Sequence, residues 1–227
     1  MPRRRAGRPS KAVLDTEQIT RAALKLIELQ GYKGLTMSAL ARRLGVAPSA
    51  LYNHVAAKAD VLVLVEDHLM AGVDVSGFAT QSWESAVRRW AWSYRDVFAR
   101  HTPLIPVIAV LPVTNAPRTV TMYEAVTAGF VAEGWPQERI VDAIVALESF
   151  IFGSAYDVTA PEGIFDTGAL ATTAPLFSTA VGRRTASANG AGDEKGNRVL
   201  GPSDSAFSLG LDALISGLAG SWPRTRS

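Results

Sequence analysis

The sequence predicts an all-α protein with a small N-terminal helical domain and a larger helical body. In one segment after another, apolar residues recur three and four positions apart, which is the period of an amphipathic helix. No window alternates apolar and polar residues convincingly with the period of two that marks a strand. Gly and Pro lie mainly between the helical segments, where they are expected to end one helix or begin the next.

Composition limits the classes of protein that the chain can represent. Its 227 residues are 48% hydrophobic and 19% charged, which is enough for one or two domains with a substantial core. The absence of cysteine excludes a disulfide scaffold, a zinc finger and a thiol nucleophile. No uncharged apolar run approaches the ~20 residues that cross a bilayer, and no apolar segment follows the basic N-terminus as in a secretory signal. We therefore expect no membrane span and a cytoplasmic location.

Positive charge is concentrated at the N-terminal end of the chain. Residues 1–60 carry eleven Lys and Arg against four Asp and Glu, a net charge of +7, whereas the remaining residues carry −5. Residues 1–11 have the pattern of a disordered basic arm, in which four arginines are Arg3, Arg4, Arg5 and Arg8. This asymmetry is typical of a protein that binds a polyanion through one end only, and a solubilising tail is the alternative for the arm.

The first helix is expected to follow Asp15, which stands three residues before Gln18 in the spacing of a capping box. Gly31 occupies the position at which a helix ends with a left-handed residue. The apolar stripe between them consists of Ile19, Ala22, Ala23, Leu26 and Ile27.

The next two short helices match the residue pattern of a helix-turn-helix. That motif needs a small residue at position 5 of its first helix, where the second helix crosses it, and favours Gly at position 9 in the turn. Counted from Met37, these positions are Ala41 and Gly45. The inward positions 4, 8, 10 and 15 are also apolar, and they are Leu40, Leu44, Val46 and Leu51. An ordinary helical hairpin is the alternative, but it does not explain six matched positions beside a basic arm.

Residues 8–70 resemble the DNA-binding domain of the TetR family of bacterial transcriptional repressors. The resemblance is carried by Gly7-Arg8-Pro9, by the runs ITRAALKLIELQG and LTMSALARRLGV, and by Leu51-Tyr52-Asn53-His54-Val55 followed by Lys58. The C-terminal half is similar to the tetracycline-repressor branch, through Phe150-Ile151-Phe152-Gly153 and a last helix with Ala206-Phe207, Gly210-Leu211, Leu214-Ile215 and Gly217-Leu218.

The recognition helix of the motif is expected to span roughly Pro48 to Val55, with Leu51 facing the core. The N-terminal end of this helix is the end that enters the major groove. Three residues near that end then point outward, namely Ser49, Ala50 and Asn53. The side-chain amide of Asn53 can pair with adenine, and the Ser49 hydroxyl can donate or accept a hydrogen bond. Ala50 offers a methyl surface to thymine.

Further residues of this domain are expected to contact backbone phosphates. Thr36 and Lys58 lie at helix N-termini, where free N–H groups and the helix dipole favour an anion. The resemblance implies phosphate contacts from Tyr52 and His54 as well. Each has an alternative: Thr36 as a helix cap, Tyr52 as a rim packing residue, His54 as a core histidine and Lys58 as a solvated lysine.

Beyond the motif, every segment again has helical periodicity. The expected elements are a linking helix from Lys58 to about Ala71, a helix capped by Ser82 through Arg100, a Pro-broken segment over 102–112, a helix from Asn115–Pro117 to Gly134, a long helix from Pro136 to about Val158, and a final helix from Asp204 to Leu218. The composition of residues 183–202, rich in Gly, Ser, Asn and charge, predicts a mobile loop.

The helix from Pro136 is apolar nearly all round, so it is expected to be buried on one side by its own chain and on the other by a second copy. The resemblance also implies a dimer built from this helix and the last one. The predicted interface residues are Ile144, Leu147, Ile151, Phe207, Leu211, Leu214 and Leu218. A single large monomeric core around the long helix is the alternative.

Aromatic residues and the Pro-broken segment mark the expected ligand site, because interrupted helices leave gaps. The residues predicted to line it are Trp90, Tyr94, Phe98, His101, Tyr123 and Phe130. No metal or cofactor is expected, because the three histidines lack metal-ligand spacing. Where the tetracycline repressors carry a magnesium-binding His, this chain has Leu104-Ile105-Pro106-Val107.

Together these patterns predict a basic arm over 1–11, a three-helix helix-turn-helix DNA-binding domain over 12–58, and a helical ligand-binding and dimerisation domain over 59–227. The predicted function is a transcriptional repressor that binds a palindromic double-stranded DNA operator as a homodimer and is released by a small-molecule inducer. One alternative is a constitutive dimeric DNA-binding protein with no small-molecule site. An enzyme with a DNA-binding appendage is the other, and no catalytic motif supports it.

Overall fold

The computed structural model describes residues 14–190 and 201–221, and in these ranges the chain forms helices and turns without a strand, as the sequence predicts. The helices are α1 (Thr16–Gly34), α2 (Met37–Leu44), α3 (Pro48–Tyr52), α4 (Lys58–Met70), α5 (Trp83–Ala99), α6 (Ile105–Ile108), α7 (Pro117–Ala132), α8 (Gln137–Asp157), α9 (Pro175–Gly190) and α10 (Pro202–Gly220). The predicted arm, with Arg3, Arg4, Arg5 and Arg8, lies outside the described residues.

Local sequence signals explain the start of α1, the turn within it and the end of α2. The Asp15 carboxylate accepts the Gln18 N–H at 2.7 Å, which pairs a backbone donor that the first turn of α1 leaves free. Gly31 interrupts α1 with a φ of 69°, so the helical path turns there before Leu35. Gly45 ends α2 in the left-handed region with a φ of 67°, a conformation that costs glycine least.

Helix α4 links this N-terminal domain to the body and is buried on nearly all sides. It packs against α1 on one side and α7 on the other. Five of its apolar side chains belong to the core that runs through both domains, namely Val61, Leu62, Val65, Leu69 and Met70. The predicted linking helix is therefore confirmed, and a displacement of α4 must move contacts in both domains.

The body is formed by α5, α7, α8 and α10 around an aromatic core, with α5 packed along α8. Helix α10 approaches α8 closely at Gly210, where a Cβ atom would come within 2.5 Å of the Phe150 ring. The nearby Arg95, which is 1% exposed, donates to Asp204 at 2.7 Å and so joins α5 to the start of α10.

The predicted mobile loop over 183–202 is wrong for its first part, because residues 183–190 form the end of α9. The run RRTAS contains good helix formers, and it continues a helix already begun by the more apolar PLFSTAV. The Thr185 hydroxyl donates to the Val181 carbonyl at 3.1 Å, a bond that this residue type makes within helices. Residues 191–200 lie outside the described part.

Candidate nucleic-acid interface and buried polar cluster

The predicted recognition helix presents its polar side chains to solvent. Leu51 and Val55 are 0% and 4% exposed and pack into the core of the N-terminal domain. Ser49 and Asn53 are exposed, and Ala50 is partly exposed. The helix itself ends at Tyr52, earlier than expected, although the His54 and Val55 N–H groups both still donate to the Leu51 carbonyl. The residues expected to read bases thus share one accessible surface.

The same surface also includes Pro48, Tyr52 and His54. Pro48 occupies the first turn, where its missing N–H costs no helical hydrogen bond, and its side chain is exposed. Tyr52 is 52% exposed. His54 is exposed as well, so it is not the core histidine that was its alternative. Their phosphate contacts stay a prediction.

Thr36 has the capping role that the sequence left open. Its Oγ1 accepts the Ala39 N–H at 3.1 Å and so caps α2, while the residue remains exposed at the domain surface. A hydroxyl that accepts from the helix still has its own proton to donate, so the predicted phosphate contact is compatible with the cap.

Lys58 contacts Tyr32 in the structure, and its phosphate contact stays a prediction. Its Nζ donates to the Tyr32 carbonyl at 3.3 Å and stands 3.8 Å from the centre of the Tyr32 ring. The Asp60 carboxylate accepts the Ala56 and Ala57 N–H groups at 2.7 and 3.0 Å, which places a negative charge at this helix end. Lys58 therefore holds α4 against the turn after Gly31, because both partners of its ammonium are on Tyr32.

The sequence interpretation missed a basic groove in the N-terminal domain. Arg21, Arg42 and Arg43 line a groove of about 660 Å³ between α1 and α2, beside apolar side chains of both helices. The signal in the sequence was the pair Arg42-Arg43 at the end of α2. Because the other face of α2 is buried in the core, both arginines must lie on the surface of the domain.

The residues predicted to bind a ligand fall into three environments. Trp90, Phe98 and Phe130 are 0% exposed and contribute to the aromatic core. Tyr94 and Tyr123 both donate to Glu148 Oε1, at 3.0 and 2.7 Å.

The third environment belongs to His101, which lies apart from the tyrosines, in the turn that meets α1. Burial lowers the pKa of His101, as do the charges of Arg100 and His68, whereas Glu28 raises it. The prediction that His101 joins the aromatic site is corrected, because its turn faces the N-terminal domain.

A second carboxylate, Glu66 of α4, lies near Glu148 and was also missed. Glu66 is 4% exposed, and its Oε2 has no hydrogen-bond partner among the described residues. Burial, together with the negative charges of Glu148 and Asp67, raises the pKa of Glu66 to about 7. Burial also raises the pKa of Glu148, although its bonds from Tyr123 and Tyr94 oppose that change.

We call Glu66, Tyr94, Tyr123 and Glu148 the polar cluster; α4, α5, α7 and α8 contribute one residue each. Burial is the main cause that raises the pKa of both tyrosines, so their hydroxyls remain hydrogen-bond donors at neutral pH. In the ranges that the structure describes, no group of three or more His, Asp or Glu is placed to hold a metal ion.

Asp67, next to Glu66, connects α4 to α7. Its Oδ1 accepts the backbone N–H groups of Arg118 and Thr119 at 2.6 and 3.2 Å, so it caps the first turn of α7 from another helix. The Arg118 guanidinium stands 3.9 Å from the other oxygen. The two neighbouring acids of α4 thus differ in their hydrogen bonds. Asp67 accepts from two backbone N–H groups, whereas one carboxylate oxygen of Glu66 accepts from no donor within the described ranges.

Most of the predicted dimer residues are covered by their own chain. Five are at most 4% exposed and belong to the protomer core, namely Ile144, Leu147, Ile151, Phe207 and Leu211. Their assignment to an interface is corrected, because a side chain without exposed surface has none to offer a partner. Leu214 and Leu218 are half-buried, and the exposed apolar residues of α8 include Val141 and Val145, at 67% and 52%.

Two family models match this chain. The model described as bacterial regulatory proteins of the TetR family matches residues 19–65, and the tetracycline repressor-like C-terminal domain matches residues 79–221. No helix among the described residues has the length and apolar character needed to cross a membrane.

Individual relatives agree with these models. The chain is 25% identical over 153 residues to the HTH-type transcriptional repressor DrrR1 of Streptomyces coeruleorubidus, covering 67% of this chain and 56% of that protein. It is 28% identical over 145 residues to an HTH-type transcriptional regulator of Saccharopolyspora erythraea, covering 64% and 61%. The match thus spans somewhat over half the length of these relatives.

A solved structure supports the fold along almost the whole chain. The TetR family protein ActR of Streptomyces coelicolor, in complex with (S)-DNPA, has a TM-score of 0.73 at 24% identity and covers 93% of this chain and 100% of its own. The helix-turn-helix geometry, the helical body and the matches over 19–65 and 79–221 agree. This chain belongs to the TetR family of bacterial transcriptional regulators.

Proposed function

We propose that this regulator is a ligand-responsive repressor that binds an inverted-repeat operator as a homodimer and releases it when a small molecule occupies the body. The observation that carries the proposal is the exposed polar face of α3, with Ser49 and Asn53 outside and Leu51 fixed in the core. Such a helix has side chains positioned to pair with base edges in a major groove.

Dimerisation is supported by exposed apolar residues on the two helices that the family resemblance implicates. Val141 and Val145 lie one turn apart on α8, and Leu209 of α10 is 75% exposed. Exposed apolar side chains cost free energy in water, so their burial against a second copy is the expected arrangement. A two-fold dimer presents two copies of α3 to DNA, so the operator is expected to be an inverted repeat.

Responsiveness to a ligand is supported by the relatives and by α4. One relative is named a repressor, and the solved ActR structure contains (S)-DNPA. In this chain α4 packs on α1 and α7, while Lys58 and Asp67 attach its two ends to those helices. A ligand that shifts α4 changes the separation of the two recognition helices, and paired half-sites tolerate little change in that separation.

The test is selection of DNA from a random duplex library, followed by measurement of the stoichiometry of the complex. The proposal predicts an enriched inverted repeat that binds two chains. No enrichment, or an asymmetric site occupied by one chain, contradicts it. Asn53→Ala, which removes a base-reading amide and leaves the core residues of α3 in place, is expected to weaken the enrichment.

A further inference from the structure

We propose that the ligand site takes an organic cation, a protonated amine attached to a hydrophobic ring system, whose N–H groups bind the carboxylates of the polar cluster. This inference rests on the proposed function, because it names the chemical class of the inducer.

Glu66 is a buried acid whose hydrogen-bonding capacity is not used. Only 4% of the residue is exposed, and Oε2 accepts from no donor in the described part of the chain. A buried carboxylate without donors costs free energy, which is why such groups are almost always paired. Its neighbour Asp67 shows the ordinary solution, with two backbone donors at 2.6 and 3.2 Å. Glu66 has an oxygen that is ready to accept from a ligand.

The charge around Glu66 selects the sign of the ligand. The charged groups that affect it are the two acids Glu148 and Asp67, and the facing tyrosines carry no positive charge. Among the described ion pairs, none contains Glu66 or Glu148. Carboxylates in a buried cluster without a basic partner repel an anion and attract a cation.

The remaining surroundings favour an organic cation over a metal ion. Two carboxylates and two phenols supply fewer strong ligands than a dedicated calcium or zinc site uses, and in the described ranges no group of three or more acids and histidines is placed to hold a metal ion. Tyr94 packs against the rings of Trp90, Phe98 and Phe152, with centroid distances of 5.7, 5.3 and 5.4 Å. Aromatic surface beside a carboxylate pair suits a ring-bearing ammonium, which gains both ion pairing and contact with π-faces.

The position of Glu66 connects the site to DNA binding. Glu66 lies on α4, the helix that Lys58 attaches to Tyr32 of α1 at one end and Asp67 attaches to α7 at the other. An ammonium bound between Glu66 and Glu148 draws α4 towards the body. That displacement passes along the helix to the N-terminal domain without any contact between ligand and DNA.

The experiment compares ligands that differ only in charge. Calorimetry measures the binding of 2-naphthylmethylamine, 2-naphthylmethanol and 2-naphthoate, and of the corresponding anthracene series, to the wild-type protein at about pH 8. We expect the amine of at least one series to bind about tenfold or more tightly than its alcohol, and the carboxylate to bind least. Equal binding of amine and alcohol overturns the inference, as does tighter binding of the carboxylate or failure of both amines to bind.

A second measurement uses the wild-type protein alone. Glu66 interacts electrostatically with Glu148, Asp67, Tyr94 and Tyr123, and it must lose its proton to pair with an ammonium ion. Amine affinity is therefore expected to rise about tenfold per pH unit between about pH 5 and 6 and to level off above 7, with proton release detected in buffers of different ionisation enthalpy. Affinity that is independent of pH, with no proton released, contradicts a role for Glu66.

Variants and DNA separate this inference from the proposed function. Glu66→Gln keeps the shape of the side chain and is expected to weaken amine binding about tenfold or more, whereas Glu124→Gln, an exposed position in α7, leaves it unchanged. Wild-type protein is also titrated with its selected operator, with and without the amine. Failure to bind any operator contradicts the proposed function, whereas operator binding that the amine does not weaken contradicts the inference alone.

Discussion

The stability of a Glu66→Gln variant, relative to that of the wild type, is expected to increase with pH. Burial and two neighbouring acids raise the pKa of Glu66 in the folded state to about 7, against an ordinary value of 4.5 in the unfolded chain. Below 4.5 both states hold the proton and the carboxyl has no pH-linked effect. Between 4.5 and 7 the unfolded state loses its proton first, so the stability of the wild type falls as pH rises.

The difference between the two pKa values corresponds to a loss of about 3 kcal/mol in the free energy of unfolding of the wild type, and this loss is complete above pH 7. Glutamine cannot ionise, so the variant lacks this loss. Burying the amide of glutamine also costs free energy, but that cost is the same at every pH. It therefore does not affect how the difference in unfolding free energy between wild type and variant changes with pH. The ionisation of Glu148 is present in both proteins.

The assay is urea unfolding followed by far-ultraviolet circular dichroism, at one protein concentration, from about pH 4.5 to 8. Between these limits the stability of Glu66→Gln relative to the wild type is expected to rise by about 3 kcal/mol. Glu124→Gln is the matched control, because Glu124 is an exposed glutamate within α7, and its difference from the wild type should stay nearly constant. A constant difference for Glu66→Gln, or one that falls with pH, refutes the reasoning about this buried acid.

Three further substitutions or deletions test other parts of the molecule. Asn53→Ala should cost about 1–3 kcal/mol of operator affinity and relax the sequence preference, whereas an equal loss on every sequence would make Asn53 a positioning residue. Val145→Asp should shift the dimer towards monomer in sedimentation, while Leu29→Asp, at an exposed apolar position of α1, should not; an unchanged dimer would place the interface elsewhere. Deletion of residues 2–8 should reduce operator affinity and its salt dependence with little change in Tm, and a large fall in Tm would show that the arm is packed.

The helix-turn-helix could be predicted from sequence because each of its constraints is local. Ala41 at the helix crossing and Gly45 in the turn are required by geometry within a few residues of each other, and the structure confirms both elements. The exposure of Asn53 follows from the burial of Leu51, since a short helix has only one inward face. Lys58 was harder to place, because Tyr32 comes within its reach only through the turn at Gly31.

The sites in the body depend on contacts between distant segments, and sequence patterns give these incompletely. Helix α8 has two apolar stripes, and periodicity alone did not show that Ile144 and Leu147 belong to the inner one and Val145 to the outer one. Glu66 was missed although it interrupts the apolar run VLVLVEDHLM, and an acid inside a helix that is buried all round was the available signal. Its neighbour Glu148 comes from a helix about eighty residues away along the chain, so no local pattern joins them.

The spacing of the operator half-sites gives the most direct test of a dimer that reads DNA through two copies of α3. Fluorescence anisotropy measures the affinity of the wild-type protein for the selected inverted repeat, for a single half-site, and for repeats with about five or ten extra base pairs between the halves. We expect the half-site to bind much more weakly than the repeat. An insertion of about five base pairs, half a helical turn, should reduce the affinity to the level of unrelated DNA, because it places the half-sites on opposite faces of the duplex. Equal affinity for the repeat, the half-site and the five-base-pair insertion would contradict the account.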